Sequence, residues 1–335
     1  MKDVYILGIE TSCDETSLAI VKNGCEDIAT STLSQIDIHN KYGGVVPEIA
    51  SRMHAENITI ILEDLFKKTD LKMEDIDAIA VTYAPGLLGS LLVGLEFAKT
   101  LALVYQIPLI KVHHLVGHIY ANGLVKKMEF PLLALIVSGG HTELVLMEKD
   151  YHFKVLGATL DDAIGEVYDK VAKVLGLPYP GGPNIEKIAK EGQSNYKLPE
   201  VMKEANLNFS YSGLKSAVIN LVHKEKQKGK EINKDDMASI FQEKAVNQLI
   251  RKTRMAIDKY GISRLIVAGG VSANQYLRDK MLKLADEMQI ELLIPPMKYC
   301  TDNATMIAAA AYPLYLKKEF TNFNLNAEST KRIDS

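Results

Sequence analysis

Apolar and polar positions divide the chain into two stretches that open alike. Residues 4–10 (VYILGIE) form an apolar run with a polar end, followed by a polar turn at 11–15 and a second apolar run at 16–22. Asn23-Gly24 is a tight-hairpin dipeptide, so residues 25–33 read as a third strand. A helix is expected over 47–68, with Pro47 at its first position, where no N–H is needed. A strand at 76–83, the loop Ala84-Pro85-Gly86, a helix of small residues at 89–105 and a strand at 107–112 complete this stretch. The second stretch begins with a buried-looking strand at 131–138, the turn Gly139-Gly140-His141, and strands at 142–148 and 151–158. Helices follow, then a strand at 264–268, a Gly269-Gly270 turn, a helix from Ser272 and a strand at 290–294. An Ala-rich helix should begin near Asp302, with a kink at Pro313.

Each stretch thus runs strand, small polar tip, strand, strand, helix. The order repeats while the residues do not, which predicts two similar α/β domains facing each other across a central cleft. Backbone N–H groups at hairpin tips suit phosphate, and a crevice between domains suits a ligand. The expected boundaries are an N-terminal lobe of residues 1–130 with 303–335 packed back on it, and a C-terminal lobe of 131–302.

Composition changes this picture little. The 335 residues are 47% hydrophobic, enough for two cores, and no apolar run approaches the roughly 20 residues that span a bilayer. The first residues turn acidic early and lack the long apolar region of a secretory signal. Three scattered cysteines, Cys13, Cys25 and Cys300, argue against a disulfide framework and make a reducing cytoplasm the default. The net charge of −3 is not that of a chain that grips nucleic acid alone. The basic run at 223–230 reads as a solvated helix end.

Several stretches carry candidate chemistry. In HHLVGH (113–118), His114 and His118 stand four apart. On a helix they share a face, and they are either a metal-binding pair or two polar side chains at a helix start. In GIETSCDETSLAIV (8–21), Glu10, Asp14 and Glu15 crowd three acids beside hydroxyls that could hold phosphate, a cation or a proton. In IVSGGHTEL (136–144), Gly139-Gly140 allows positive φ and close approach of a ligand. In DDAIGEVYDKVAKVLGL (161–177), Asp162, Glu166 and Asp169 form an acidic stripe. The helix dipole accounts for acids in the first turn but not for Asp169, which could accept hydrogen bonds from ribose. YPGGPNIEKIA (179–189) is a loop entering a helix, with Gly182 leaving room for a flat ligand and Glu186 near the first turn. VAGGVSANQYLRDKM (267–281) is not GxGxxG, which disfavours a Rossmann site; Asn274 could cap its helix or contact a nucleotide. In YCTDNATMIAAAAY (299–312), Thr301 or Asp302 is a natural N-cap.

These stretches, in this order and together with HNKYGGVVPEIASR, APGLLGSLLVGLEFAKTLA and FSYSGLKSAV, resemble the TsaD family (formerly Gcp, or O-sialoglycoprotein endopeptidase) over nearly the whole chain. SGGHTE and YCTDNATMIA look like the bacterial branch; the archaeal and eukaryotic branch carries tyrosine where Ile136 stands. The resemblance implies the actin-like, sugar-kinase-like (ASKHA) ATPase fold. It also implies a tRNA N6-adenosine threonylcarbamoyltransferase, which moves the threonylcarbamoyl group of threonylcarbamoyl-AMP to the adenosine 3′ of the anticodon in tRNAs reading ANN codons. It makes His114, His118 and Asp302 ligands of one divalent metal, Fe(2+) or Zn(2+). Ile136, Val137, Ser138, Gly139, Gly140, Asp169, Gly182, Glu186 and Asn274 become contacts to the donor and its adenine nucleotide, and Asp14 and Glu15 a proton relay. Implied partners are tRNA, a TsaB-like paralogue, a TsaE-like ATPase and a TsaC-type enzyme supplying the donor, with no membrane. The old protease name fails on chemistry: a zincin needs HExxH, and Leu115 stands where the glutamate would be. Val116 departs from the Glu of many relatives without touching the ligand set. The rival expectations are an ATPase or small-molecule kinase of the same fold, or a non-catalytic scaffold paralogue.

Overall fold

A computed structural model describes every residue except Met1 and Lys203. Contacts divide the chain into two compact units, Met1–Met128 with Pro295–Ser335, and Glu129–Ile294. In the first unit the chain runs β1 (Tyr5–Glu10), β2 (Glu15–Lys22), β3 (Glu26–Ser34), α1 (Ile36–Asn40), α2 (Pro47–Lys67), β4 (Ala78–Ala84), α3 (Leu88–Tyr105), β5 (Leu109–His113) and α4 (His114–Tyr120). In the second it runs β6 (Leu132–Val137), β7 (Thr142–Lys149), β8 (His152–Ala158), α5 (Ile164–Val174), α6 (Gly181–Ala189), α7 (Ser212–Gln227), α8 (Lys234–Tyr260), β9 (Arg264–Ala268), α9 (Gln275–Met288) and β10 (Glu291–Leu293). Helix α10 (Ala304–Lys317), with Pro313 inside it, belongs to the first unit.

The two sheets have the same topology. Their orders are β3-β2-β1-β4-β5 and β8-β7-β6-β9-β10, antiparallel over the first three strands and parallel over the last three. The weak repeat in the sequence is therefore a repeat of architecture. The central strands β1, β4 and β6 are apolar on both faces and buried almost throughout, as parallel pairing covered by helices requires. Asn23 and Gly24 take φ of 52° and 72° in the β2–β3 turn.

Three expectations need correction. The chain rejoins the first unit at Pro295, not at 303, so Asp302 lies in the same unit as the two histidines. Tyr299 and Lys298 both engage Asp27 of β3 there, tying the returning segment to the first sheet. Helix α10 is capped by Asn303, whose Oδ1 accepts the Met306 N–H at 3.0 Å, and not by Thr301 or Asp302. Finally, α3 is by length and composition able to cross a membrane, with a mean hydropathy of 1.5 over 18 residues. It packs on β4 and α2 as a core helix, burying Leu91, Leu95, Ala98 and Ala102, with Glu96 and Lys99 paired on its outer side. No disulfide joins the three cysteines among the described residues, and the basic run at 223–230 is the exposed end of α7.

Two glycines set the placement of α10. A Cβ on Gly8 of β1 would meet Ala304 O at 2.3 Å, and one on Gly117 of α4 would meet the Ile307 side chain at 2.7 Å. Both let α10 lie against β1 and α4 at backbone distance.

Candidate functional site

HHLVGH turns from β5 straight into α4. His113 caps the helix, accepting the Leu115 N–H at its Nδ1, so His114 and His118 occupy one face a turn apart. Because Asn303 does the capping of α10, Asp302 is left to point elsewhere. Its Oδ1 lies 3.1 Å from His118 Nε2 and 3.4 Å from His114 Nε2. One ligand-type atom from each of the three residues falls within 4.8 Å of the others, and the two rings stand edge to face at 82°.

The two imidazoles are buried and Asp302 is half-buried, so desolvation and mutual charge compete within the group. Burial works to depress His114, but Asp302 and Glu10 outweigh it and hold that imidazole well above its ordinary range. Burial works to raise Asp302 and Glu10, and the His114 charge with its hydrogen bonds holds both below the usual carboxylate range. Burial keeps His118 below its ordinary value. The Nδ1 of His118 is buried with no hydrogen-bond partner among the described residues, while its Nε2 faces the Asp302 carboxylate. An orphaned ring nitrogen of this kind costs roughly 1–3 kcal/mol. Two imidazoles and one carboxylate are a donor set that ferrous iron and zinc accept.

Asp14 and Glu15 sit in the β1–β2 tip and at the start of β2. Burial, then the charges of Asp302 and Asp14, push the Glu15 carboxyl up to about 10, so it holds its proton at neutral pH. The tip is held by a residue that pattern reading passed over. His54 of α2 donates from Nε2 to Cys13 O at 2.9 Å and accepts at Nδ1 from Thr16 Oγ1 at 2.7 Å. The signal was present: Ala50, His54, Ile58, Ile61 and Leu65 are the buried stripe of α2, and His54 is its one ionisable member. Burial holds His54 below its ordinary range, so the unfolded chain protonates first as pH falls. We expect stability to fall between pH 7 and pH 5, and the fall to be shallower in His54→Gln; thermal melts at the two pH values measure it.

The second unit holds the other sequence candidates. Ile136 and Val137 are buried in β6, Ile136 paired with Glu143 of β7 and Ala268 of β9, and Val137 with Thr142 of β7. The Ser138 N–H donates to His141 O at 2.9 Å. Gly139 and Gly140 are exposed with open space at their Cβ positions, and neither takes the positive φ expected of them. Asp169 accepts the Gly181 N–H at 2.6 Å, tying α5 to the start of α6. Gly182 faces open space, and Glu186 accepts the Gln275 N–H at 2.9 Å. Asn274 caps α9 through Leu277 N–H and donates to Gln242 at 3.0 Å. A cavity of about 290 Å³ is lined by Glu186, Gln242, Gln275 and Tyr276 among others, so of the predicted residues only Glu186 reaches it directly. Asp162 of the acidic stripe is taken up by Lys170 and Lys215.

The family profile described as "TsaD: tRNA N6-adenosine threonylcarbamoyltransferase" matches residues 26–309. The chain belongs to the TsaD family. The tRNA N6-adenosine threonylcarbamoyltransferase of Bacillus licheniformis is 53% identical over 329 residues, covering 98% of this chain and 96% of that protein. That of Bacillus subtilis is 53% identical over 336 residues, covering 100% and 97%. Among solved structures, an activator of the 2-hydroxyisocaproyl-CoA dehydratase from Clostridium difficile with bound ADPNP aligns with a TM-score of 0.54 at 16% identity, covering 95% of this chain and 99% of that one. Full-length HypF in its phosphate- and nucleotide-bound form aligns at 0.61 and 14% identity, covering 95% of this chain and 47% of that one. These likenesses show the fold, the actin-like ATPase architecture of two α/β units. Family membership makes the chain a transferase of threonylcarbamoyladenosine formation in tRNA.

Proposed function

We propose that the chain transfers threonylcarbamoyl from threonylcarbamoyl-AMP to N6 of the adenosine 3′ of the anticodon in tRNAs reading ANN codons, with His114, His118 and Asp302 holding one divalent ion, Fe(2+) or Zn(2+). The convergence of those three side chains within 4.8 Å, two of them buried, carries the reading. When bound, the ion supplies Lewis-acid polarisation and a template for the threonylcarbamoyl end of the donor.

The chain's own groups do the rest. The Gly139 and Gly140 amides are the members of the 136–140 stretch that face a ligand, held in place by the buried pairings of Ile136 and Val137 and by Ser138. They stabilise charge that builds on the donor's oxygens. Gly182 and Glu186 make the nucleotide side, with Asp169 and Asn274 fixing the helix starts around them. Asp14 and Glu15, at the β1–β2 tip, relay the proton lost by the adenine amine. A near-neutral chain needs company to hold tRNA, and α3 exposes Leu88, Leu92, Leu103 and Val104, a face suited to a TsaB-like paralogue. A TsaE-like ATPase and a TsaC-type donor enzyme complete the system, which works in the cytoplasm.

Metal removal tests this reading. Dialysis against a chelator should stop transfer to tRNA by the reconstituted system, and Fe(2+) or Zn(2+) should restore it, with close to one ion retained per chain. Undiminished transfer by the stripped protein would rule the reading out.

A further inference from the structure

Glu10 is a full carboxylate at the end of β1, 0% exposed, where an uncompensated charge would be prohibitively costly. Its partners are specific. Oε1 accepts the Ser12 backbone N–H at 2.6 Å. Oε2 accepts the Thr82 hydroxyl at 2.6 Å and lies 3.1 Å from His114 Nδ1. The opposite nitrogen of that ring, Nε2, is the one that faces Asp302. We infer that Glu10 is the positioning residue that keeps a proton on His114 Nδ1, and so leaves the Nε2 lone pair of His114 open to the metal ion. This inference rests on the metal reading above.

The reasoning is one of donors and acceptors. A neutral imidazole carries one N–H, and the partner of one nitrogen decides what the other can do. An ionised carboxylate can only accept, so Nδ1 must be the donor toward Glu10. The Ser12 hydroxyl also lies 3.1 Å from Nδ1, but a hydroxyl donates or accepts equally and cannot choose the tautomer. Thr82 and Ser12 in turn hold the carboxylate still: one is on β4, the next strand of the sheet, and the other follows β1 directly. The chain thus presents a carboxylate–histidine pair aimed at the point where His118 and Asp302 converge. In known metal sites, loss of such a partner lowers affinity roughly 10–100-fold.

Glu10→Gln separates positioning from structure. The amide has one acceptor, which the Ser12 N–H must face. Its NH2 then points at Thr82 Oγ1, which can accept, and at His114 Nδ1, which can accept only if the ring proton moves to Nε2. The Ser12, Thr82 and His114 contacts can each be kept, with only the Thr82 hydroxyl proton losing its acceptor, so the chain folds, while the nitrogen needed by the ion carries a hydrogen. The experiment measures Zn(2+) affinity by competition with a chromophoric chelator for the unchanged chain, Glu10→Gln and His118→Ala. Thermal midpoints and histidine-ring 15N NMR spectra of the metal-free proteins are recorded alongside. We expect Glu10→Gln to bind Zn(2+) roughly 10–100-fold more weakly, to melt close to the unchanged chain, and to show the Nε2–H tautomer at His114. Glu10→Gln binding Zn(2+) as tightly as the unchanged chain overturns the inference, and if His118→Ala still abolishes binding, the metal reading survives alone. No Zn(2+) binding by the unchanged chain overturns both.

Discussion

Replacing His118 with Ala is expected to lower threonylcarbamoyl transfer at least ~100-fold, roughly 3 kcal/mol of transition-state stabilisation, while barely changing the thermal midpoint of the metal-free chain. The two halves of this expectation have separate causes. His118 is 1% exposed and its Nδ1 has no hydrogen-bond partner among the described residues, so the folded chain carries a desolvated ring nitrogen at a loss. Removing the ring relieves roughly 1–3 kcal/mol of that cost. The cavity left behind destabilises in the other direction. A residue kept for packing would behave oppositely, its loss lowering the midpoint and sparing the reaction. Transfer assays in the reconstituted system and melts of the stripped protein decide between the two. Normal transfer by a less stable His118→Ala would make the residue structural.

Gly8→Val is expected to weaken both fold and metal site, although Gly8 touches no candidate ligand. Its Cβ would lie 2.3 Å from Ala304 O and 3.0 Å from the Ala308 Cβ, so backbone must move by roughly 1 Å to reach ordinary contact. Overpacking of this kind costs about 1–3 kcal/mol, and in a chain of this size each kcal/mol lowers the midpoint by roughly 2–4 °C. The displaced atom belongs to the first residue of α10, two positions after Asp302, so the aspartate is carried away from both histidines. Zn(2+) affinity measured beside the melt should fall further than stability alone explains. Unchanged affinity in a destabilised variant would show that α10 is registered by its other contacts, such as the Gly117 approach to Ile307.

Much of the molecule was readable before folding was considered. The apolar runs that became β1, β4, β6 and β9 are long because those strands are buried on both faces, and Asn23-Gly24 marked a hairpin because its φ values exclude most residues. The spacing of His114 and His118 was visible for the same local reason, a helix repeat. Misreadings gathered where one short segment had two possible partners. Asp302 and Asn303 are both good caps, and only the packing of α10 on β1 and α4 assigns the cap to Asn303. Asp169 read as an acceptor for ribose, and only the fold brings the Gly181 N–H at the start of α6 to it.

Local order along this chain follows from periodicity and turn chemistry, which act over a few residues and leave their mark in composition. The trio of His114, His118 and Asp302, and the Glu10 carboxylate behind it, are different in kind. Their members are separated by up to 292 positions, from Glu10 to Asp302, and no nearby pattern links them. What joins them is the return of the chain at Pro295 and the close seating of α10 against Gly8 and Gly117, a matter of steric fit between distant backbones. Proximity, desolvation and the orphaned ring nitrogen of His118 all arise at that step, because burial and mutual charge exist only once the segments have met.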